Sequence, residues 1–227
     1  MATVGSDGDE YLARLVQLGI STEYVRRLDD HYTAQAMIMT DRDNNQITAF
    51  HPGAMMQAHI TRIEKRADIA LGIISPDGRD AMLQHAEQFR AADIPFVFDP
   101  GQGLPMFDGA ELARFIEQST WVTVNDYEGK MLSERTGWSS ADISRRVQGL
   151  VVTLGAEGCE VWVDGHKTLV PPVKATAVVD PTGCGDAWRG ALLFGLEQGW
   201  SLAQCAALGN KVGALKIASR GPQNYSL

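Results

Sequence analysis

Cysteine is scarce in this chain. Cys159, Cys184 and Cys205 form no C-x-x-C pair, and an odd, sparse count excludes a disulfide-stapled fold and fits a reduced, cytoplasmic protein. The five histidines are scattered and never fall into H-E-x-x-H, which argues against a zinc site. No apolar run is long enough to cross a bilayer, and no basic-apolar signal pattern opens the chain. Basic residues number 20 against 28 acidic ones, a net charge of −8, without a dense Lys/Arg run. Nucleic acid and anionic membrane are therefore poor partners. Also missing are the G-x-x-x-x-G-K-[ST] loop of Walker-type ATPases and the H-R-D and D-F-G set of protein kinases.

What is there is a regular alternation. The 227 residues are 44% hydrophobic, enough for a sizeable core. Ala34–Thr40 and Gln46–Phe50 flank a polar stretch, Asp41–Asn45, and read as a hairpin. From there apolar runs at 69–74, 95–99, 121–125 and 150–154 alternate with helical patterns at 79–92, 109–118 and 127–136. A further strand, 159–163, follows the Gly155-Ala156-Glu157-Gly158 turn, and two helices, 187–198 and 202–218, close the chain. Strands alternating with helices predict a mostly parallel sheet covered on both faces, an α/β architecture. Ligands in such sheets bind beyond the carboxyl ends of the strands. Asp99, Asn125, Thr153 and the 180–186 turn all lie there. No internal repeat or linker divides the chain.

The strongest chemical signal is Asp180-Pro181-Thr182-Gly183-Cys184-Gly185-Asp186, which runs into the apolar stretch Ala191, Leu192, Leu193, Leu196. A Gly-rich turn at a helix start offers the N–H groups of Gly183, Cys184 and Gly185, plus the positive end of the helix dipole, to an anion such as phosphate. Asp186 at its lip would repel that anion but could serve as a general base; an Asp in the first helical turn is also an ordinary helix start. Cys184, among free N–H groups, is expected to have a lowered thiol pKa and the fastest reaction of the three cysteines. Asn125 and Glu128 have the spacing of a capping box. Gly209 and Gly213 are poor residues for the interior of the last helix, costing roughly 1 kcal/mol each against Ala.

The Asp180–Asp186 segment resembles the D-T-x-G-A-G-D signature of the PfkB (ribokinase-like) carbohydrate kinase family, with Cys184 in place of Ala. The resemblance implies a three-layer sandwich around a mostly parallel sheet, with Asp186 as catalytic base and Gly183, Cys184 and Gly185 as the anion hole. It places Asn125, Thr153, Gly155, Gly158 and Asn210 against ATP, Glu128 near Mg²⁺ through water, and Asp180 beside a monovalent cation such as K⁺, with carbonyls near Gly221. The implied activity is transfer of the γ-phosphate of ATP to a hydroxyl of a nucleoside or sugar. Adenosine, at its 5′-hydroxyl, is the leading acceptor; another sugar, or a non-catalytic nucleotide-binding fragment, is the alternative. A homodimer stays open. Family members begin with a strand, lid strands and a G-G-x-x-x-N motif, and the resemblance sets Met1 well inside that pattern. Residues 1–227 thus read as one PfkB-type domain, incomplete at its front. Its lid strands are largely missing, with the hairpin near 30–50 as a remnant, and its substrate-binding residues are unidentified.

Overall fold

The computed structural model describes residues 1–41, 46–64 and 68–226. They form two compact units, one of residues 1–64 with 76–92, the other of the stretch ending at Ser75 with everything from Asp93 onward.

In the first unit, β1 (Ala2–Gly5) and β2 (Val25–Leu28) pair in parallel, joined through α1 (Asp9–Gln17). These three elements do not stand out in the sequence: the strands are four residues long, and β2 carries Arg26 and Arg27 between its apolar ends. β3 (Gln35–Thr40) and β4 (Gln46–His51) form the expected antiparallel hairpin; residues 42–45 of its turn lie outside the described residues. Asp7 anchors the approach to β3. Its carboxylate accepts hydrogen bonds from the Thr33 N–H at 2.8 Å, the Thr33 hydroxyl at 2.7 Å and the Gln35 side-chain amide at 3.1 Å. These bonds, the Thr33 N–H foremost, hold its pKa below the usual carboxylate value. Helix α2 (Arg79–Ala91) buries Ala81, Met82, His85, Ala86 and Phe89, one stripe at helical spacing.

The second unit is built on a six-stranded sheet of β5 (Gly72–Ile74), β6 (Phe96–Phe98), β7 (Trp121–Asn125), β8 (Gly149–Thr153), β9 (Cys159–Val163) and β10 (His166–Val170), in spatial order β10-β9-β8-β7-β6-β5. β5 to β8 are parallel, and β9 and β10 are antiparallel additions. β10 was not foreseen, although its signal is present. Asp164 and Gly165, both at positive φ (48° and 77°), make a two-residue turn of the kind that Asp-Gly favours.

Because side chains alternate across a strand, neighbouring residues feed two cores. Val97, Val151 and Val161 pack with Trp188 and Leu192 of α6 (Cys184–Glu197) and Cys205 and Ala206 of α7 (Leu202–Lys216). On the other face, Phe98 stacks on Phe115 of α3 (Gly109–Gln118) with ring centres 4.6 Å apart. Val124 and Val152 there approach Gly129 of α4 (Asp126–Thr136), where a Cβ would meet the Val124 side chain at 3.3 Å. A short helix, α5 (Ser140–Ser144), leads into β8. This unit is the expected three-layer sandwich on a mostly parallel sheet.

The boundaries follow local chemistry. Asp108 and Glu111, Asn125 and Glu128, Ser139 and Asp142, and Ser201 and Gln204 each close a reciprocal capping box at a helix start. Helix α6 begins at Cys184, three residues before the expected Ala187, because Gly183 adopts the left-handed conformation (φ 78°) as its N-cap.

Candidate active site

Asp99, Asn125 and Thr153 follow or end β6, β7 and β8, the last two directly opposite in the β7–β8 register. The three define the carboxyl edge of the parallel sheet. The N-terminus of α6 is tied to this edge by Arg189. Its Nε and Nη2 both donate to the Asp99 carboxylate, the Nη2 to Oδ1 at 2.7 Å. The same Nη2 stands 3.7 Å from Glu128 Oε2, and Nη1 donates to the Gly185 carbonyl at 3.3 Å. Arg189 thus joins the strand edge, the start of α4 and the turn that holds Asp186.

Burial sets the electrostatics. The Asp99 side chain is 5% exposed, and loss of solvation pushes its pKa up against the pull of Arg189 and the hydroxyl of Ser75, 3.2 Å away. Burial also raises Glu128, although the Asn125 N–H donates to it at 2.8 Å. Burial alone would lower the pKa of Arg189; Asp99, Glu128 and Asp186 outweigh it and the net shift is upward. Three carboxylates therefore face one guanidinium. That negative excess suits a divalent cation, although no three His, Cys, Asp or Glu side chains among the described residues converge to hold one directly. A Mg²⁺ ion, which keeps part of its water shell, would fit here through Glu128 and bound water.

In the 180–186 turn, Asp186 is exposed on the first turn of α6. The N–H of Cys184 is not free as expected: it donates to the Pro181 carbonyl at 3.1 Å. Among the described residues the N–H groups of Gly183, Gly185 and Asp186 have no protein acceptor, so the open amides are these three. A Cβ on Gly183 would meet Pro222 at 2.8 Å. The Cys184 thiol also departs from expectation. Burial pushes its pKa up rather than the helix start pulling it down, and its Sγ lies 3.9 Å from the Asp180 carbonyl.

Asp180 is hydrogen-bonded by the protein at both carboxylate oxygens. Oδ1 accepts from the Thr182 N–H at 2.9 Å and Oδ2 from the Gly221 N–H at 2.8 Å, holding its pKa down to about 2. Asn210 is engaged at both ends. Its Oδ1 accepts from the indole N–H of Trp188 at 3.0 Å, and its Nδ2 donates to the Pro171 carbonyl at 2.9 Å. It braces α6, α7 and the end of β10 instead of offering a free amide to adenine. Gly158 is structural as well, since a Cβ there would strike the Val170 carbonyl at 2.3 Å. Gly155, at φ 59°, faces open space, and Thr153 Oγ1 makes one 3.4 Å bond to the Val124 carbonyl. Both remain accessible to a ligand. The residue missed in the sequence is Arg189; its signal was a lone cation in the otherwise small and apolar run Ala187–Phe194.

The pfkB family carbohydrate kinase model matches residues 1–227. A nucleoside kinase of Methanocaldococcus jannaschii is 29% identical over 226 residues, 98% of this chain and 74% of the relative. The ribokinase of Mus musculus is 27% identical over 247 residues, 97% and 73% of the two chains. Among solved structures, the nucleoside kinase of Burkholderia thailandensis in complex with inosine is 53% identical, with a TM-score of 0.95 over 99% of this chain and 74% of that one. The same protein in complex with ADP-inosine gives a TM-score of 0.94 over 99% and 71%. The fold is ribokinase-like, and no helix among the described residues is long and apolar enough to cross a membrane.

Proposed function

This chain belongs to the pfkB family of carbohydrate kinases and is a phosphotransferase with an alcohol acceptor, and from that premise we propose that it moves the γ-phosphate of ATP to the 5′-hydroxyl of a nucleoside. The observation that carries this reading is the start of α6, where the open amides of Gly183, Gly185 and Asp186 share one turn with the exposed Asp186 carboxylate. The amides and the helix dipole receive the negative charge that develops on the transferring phosphoryl oxygens. Asp186 takes the proton of the attacking hydroxyl, which turns its awkward charge beside an anion site into a function. Arg189 fixes the turn against Asp99, so that base and amides keep one geometry. Mg²⁺, held at Glu128 through water, would neutralise charge on the ATP phosphates. Gly155 and Thr153 leave room along the strand edge for the nucleotide.

The acceptor proposed is the nucleoside class rather than adenosine alone. The support is the 53% identical relative, solved with inosine and with ADP-inosine. The test is an ADP-release assay with ATP and Mg²⁺ over inosine, adenosine, guanosine, cytidine, ribose and fructose, with the product position read by phosphorus NMR. A nucleoside 5′-monophosphate is expected. Turnover of ribose or fructose without any nucleoside would overturn the acceptor assignment.

A further inference from the structure

Lys216, the last residue of α7, is fully buried at 0% exposure. A buried ammonium demands partners, and those of Lys216 are unusual. Its Nζ donates to the carbonyl of Asp180 at 2.8 Å and to that of Ser219 at 3.2 Å. Among the described residues it has no ion-pair partner, and the nearby Asp180 carboxylate gives its oxygens to N–H groups instead.

Around this ammonium two segments are stapled together. The Ile217 carbonyl accepts the N–H groups of Val179 and Asp180 at 2.8 and 3.1 Å, and the Lys216 carbonyl accepts that of Ser219 at 3.0 Å. With the Asp180–Gly221 bond, residues 179–182 are locked onto residues 216–221, directly before the turn that bears the open amides. The C-terminal end of α7 adds a negative dipole that favours a cation here.

The family resemblance places a monovalent cation at this spot, liganded by Asp180 and carbonyls near Gly221. The residues present do not fit one. Each Asp180 carboxylate oxygen already accepts a backbone N–H, and two carbonyls converge on an ammonium already in place. A second cation on those oxygens would stand beside a buried positive charge in a low dielectric and be repelled. We propose that Lys216 is itself the cation of this site: a positioning residue whose ammonium replaces a monovalent metal ion, fixes the 180–186 turn and makes the protein indifferent to K⁺.

The catalytic arm of the test rests on the kinase reading; a thermal-melting arm does not. Wild-type turnover and melting temperature are measured in K⁺, NH₄⁺ and the bulky tetramethylammonium at equal ionic strength. Rates are expected to agree within the error of the assay, and melting temperatures to coincide. Lys216→Ala opens the space the ammonium held. In tetramethylammonium it is expected to lose about 10²-fold in kcat, the scale of a small misplacement of the reacting groups. K⁺ or NH₄⁺ should restore kcat and raise the melting temperature saturably. A purely packing role would give a loss that no cation repairs, and that result overturns the proposal. So does wild-type activation by K⁺, which needs no variant to fold. If no acceptor is turned over at all, the proposed function fails while the melting arm still judges Lys216.

Discussion

Asp99 and Arg189, 90 residues apart in sequence, form a two-pronged ion pair in which the guanidinium gives both Nε and Nη2 to one carboxylate. Their side chains are only 5% and 12% exposed. The pair joins the carboxyl end of a central strand to the helix whose first turn carries Asp186. It thereby converts a local sequence motif into a site with a fixed place in the fold.

Breaking that pair leaves a buried, uncompensated charge. Asp99→Asn and Arg189→Met are each expected to destabilise the protein by about 3–5 kcal/mol. The double variant should lose less than the sum, because neither charge is then stranded. Urea denaturation of the four proteins measures the coupling; strict additivity would show that the two side chains do not act together.

Asp186→Asn keeps the shape of the side chain and removes its ability to take a proton. Turnover is expected to fall on the order of 10²–10⁴-fold. ATP affinity should be unchanged or improved, since a charge facing the phosphates is gone. Steady-state kinetics with isothermal titration of ATP separates the two effects, and activity within a few-fold of wild type would remove Asp186 from the base role.

Asn210→Ala tests the brace. Trp188 would keep a buried indole N–H without its acceptor, at about 1–3 kcal/mol, while the KM for ATP stays the same. A raised KM with unchanged stability would restore Asn210 to the nucleotide site.

The two N–H bonds that depress Asp180 have a pH signature. A carboxyl whose folded pKa lies below its unfolded value, about 3.9, adds stability above that value and loses it as the pH falls. The stability gap between wild type and Asp180→Asn should be full above about pH 5 and close as the pH drops from 4 towards about 2. A gap that persists unchanged into acid, followed by urea melts, would count against these bonds.

The thiols should be slow. Burial raises all three pKa values, that of Cys159 to about 11. Cys184 is the one not fully buried. Alkylation followed by peptide mapping should find it first, at a rate that still climbs above pH 9, and Mg-ATP should protect it. Faster modification of Cys159 or Cys205 would contradict their packing against the sheet.

Local features of this molecule were legible in the chain itself. The alternation of strands and helices was readable, as were the Asn125–Glu128 cap and the Gly-rich Asp180–Asp186 turn, which rest on contacts between residues two to four apart. Spacing and residue type alone fix such contacts, because the backbone geometry of a turn or a helix start is the same wherever it occurs. What only the tertiary structure decided is which of these features meet and which side chains are already spent. Arg189 on Asp99 spans 90 residues, Lys216 on Asp180 spans 36, and Asn210 on Pro171 spans 39. Each partner was chosen by the strand order and by the removal of water, which forces a buried cation or amide onto whatever oxygen the packing supplies. A string of residue types carries neither the order nor the burial. Asn210 and Asp180, which read as ligand groups in sequence, are therefore hydrogen-bonded within the folded chain, Asn210 by Trp188 and the Pro171 carbonyl and Asp180 by the Thr182 and Gly221 N–H groups.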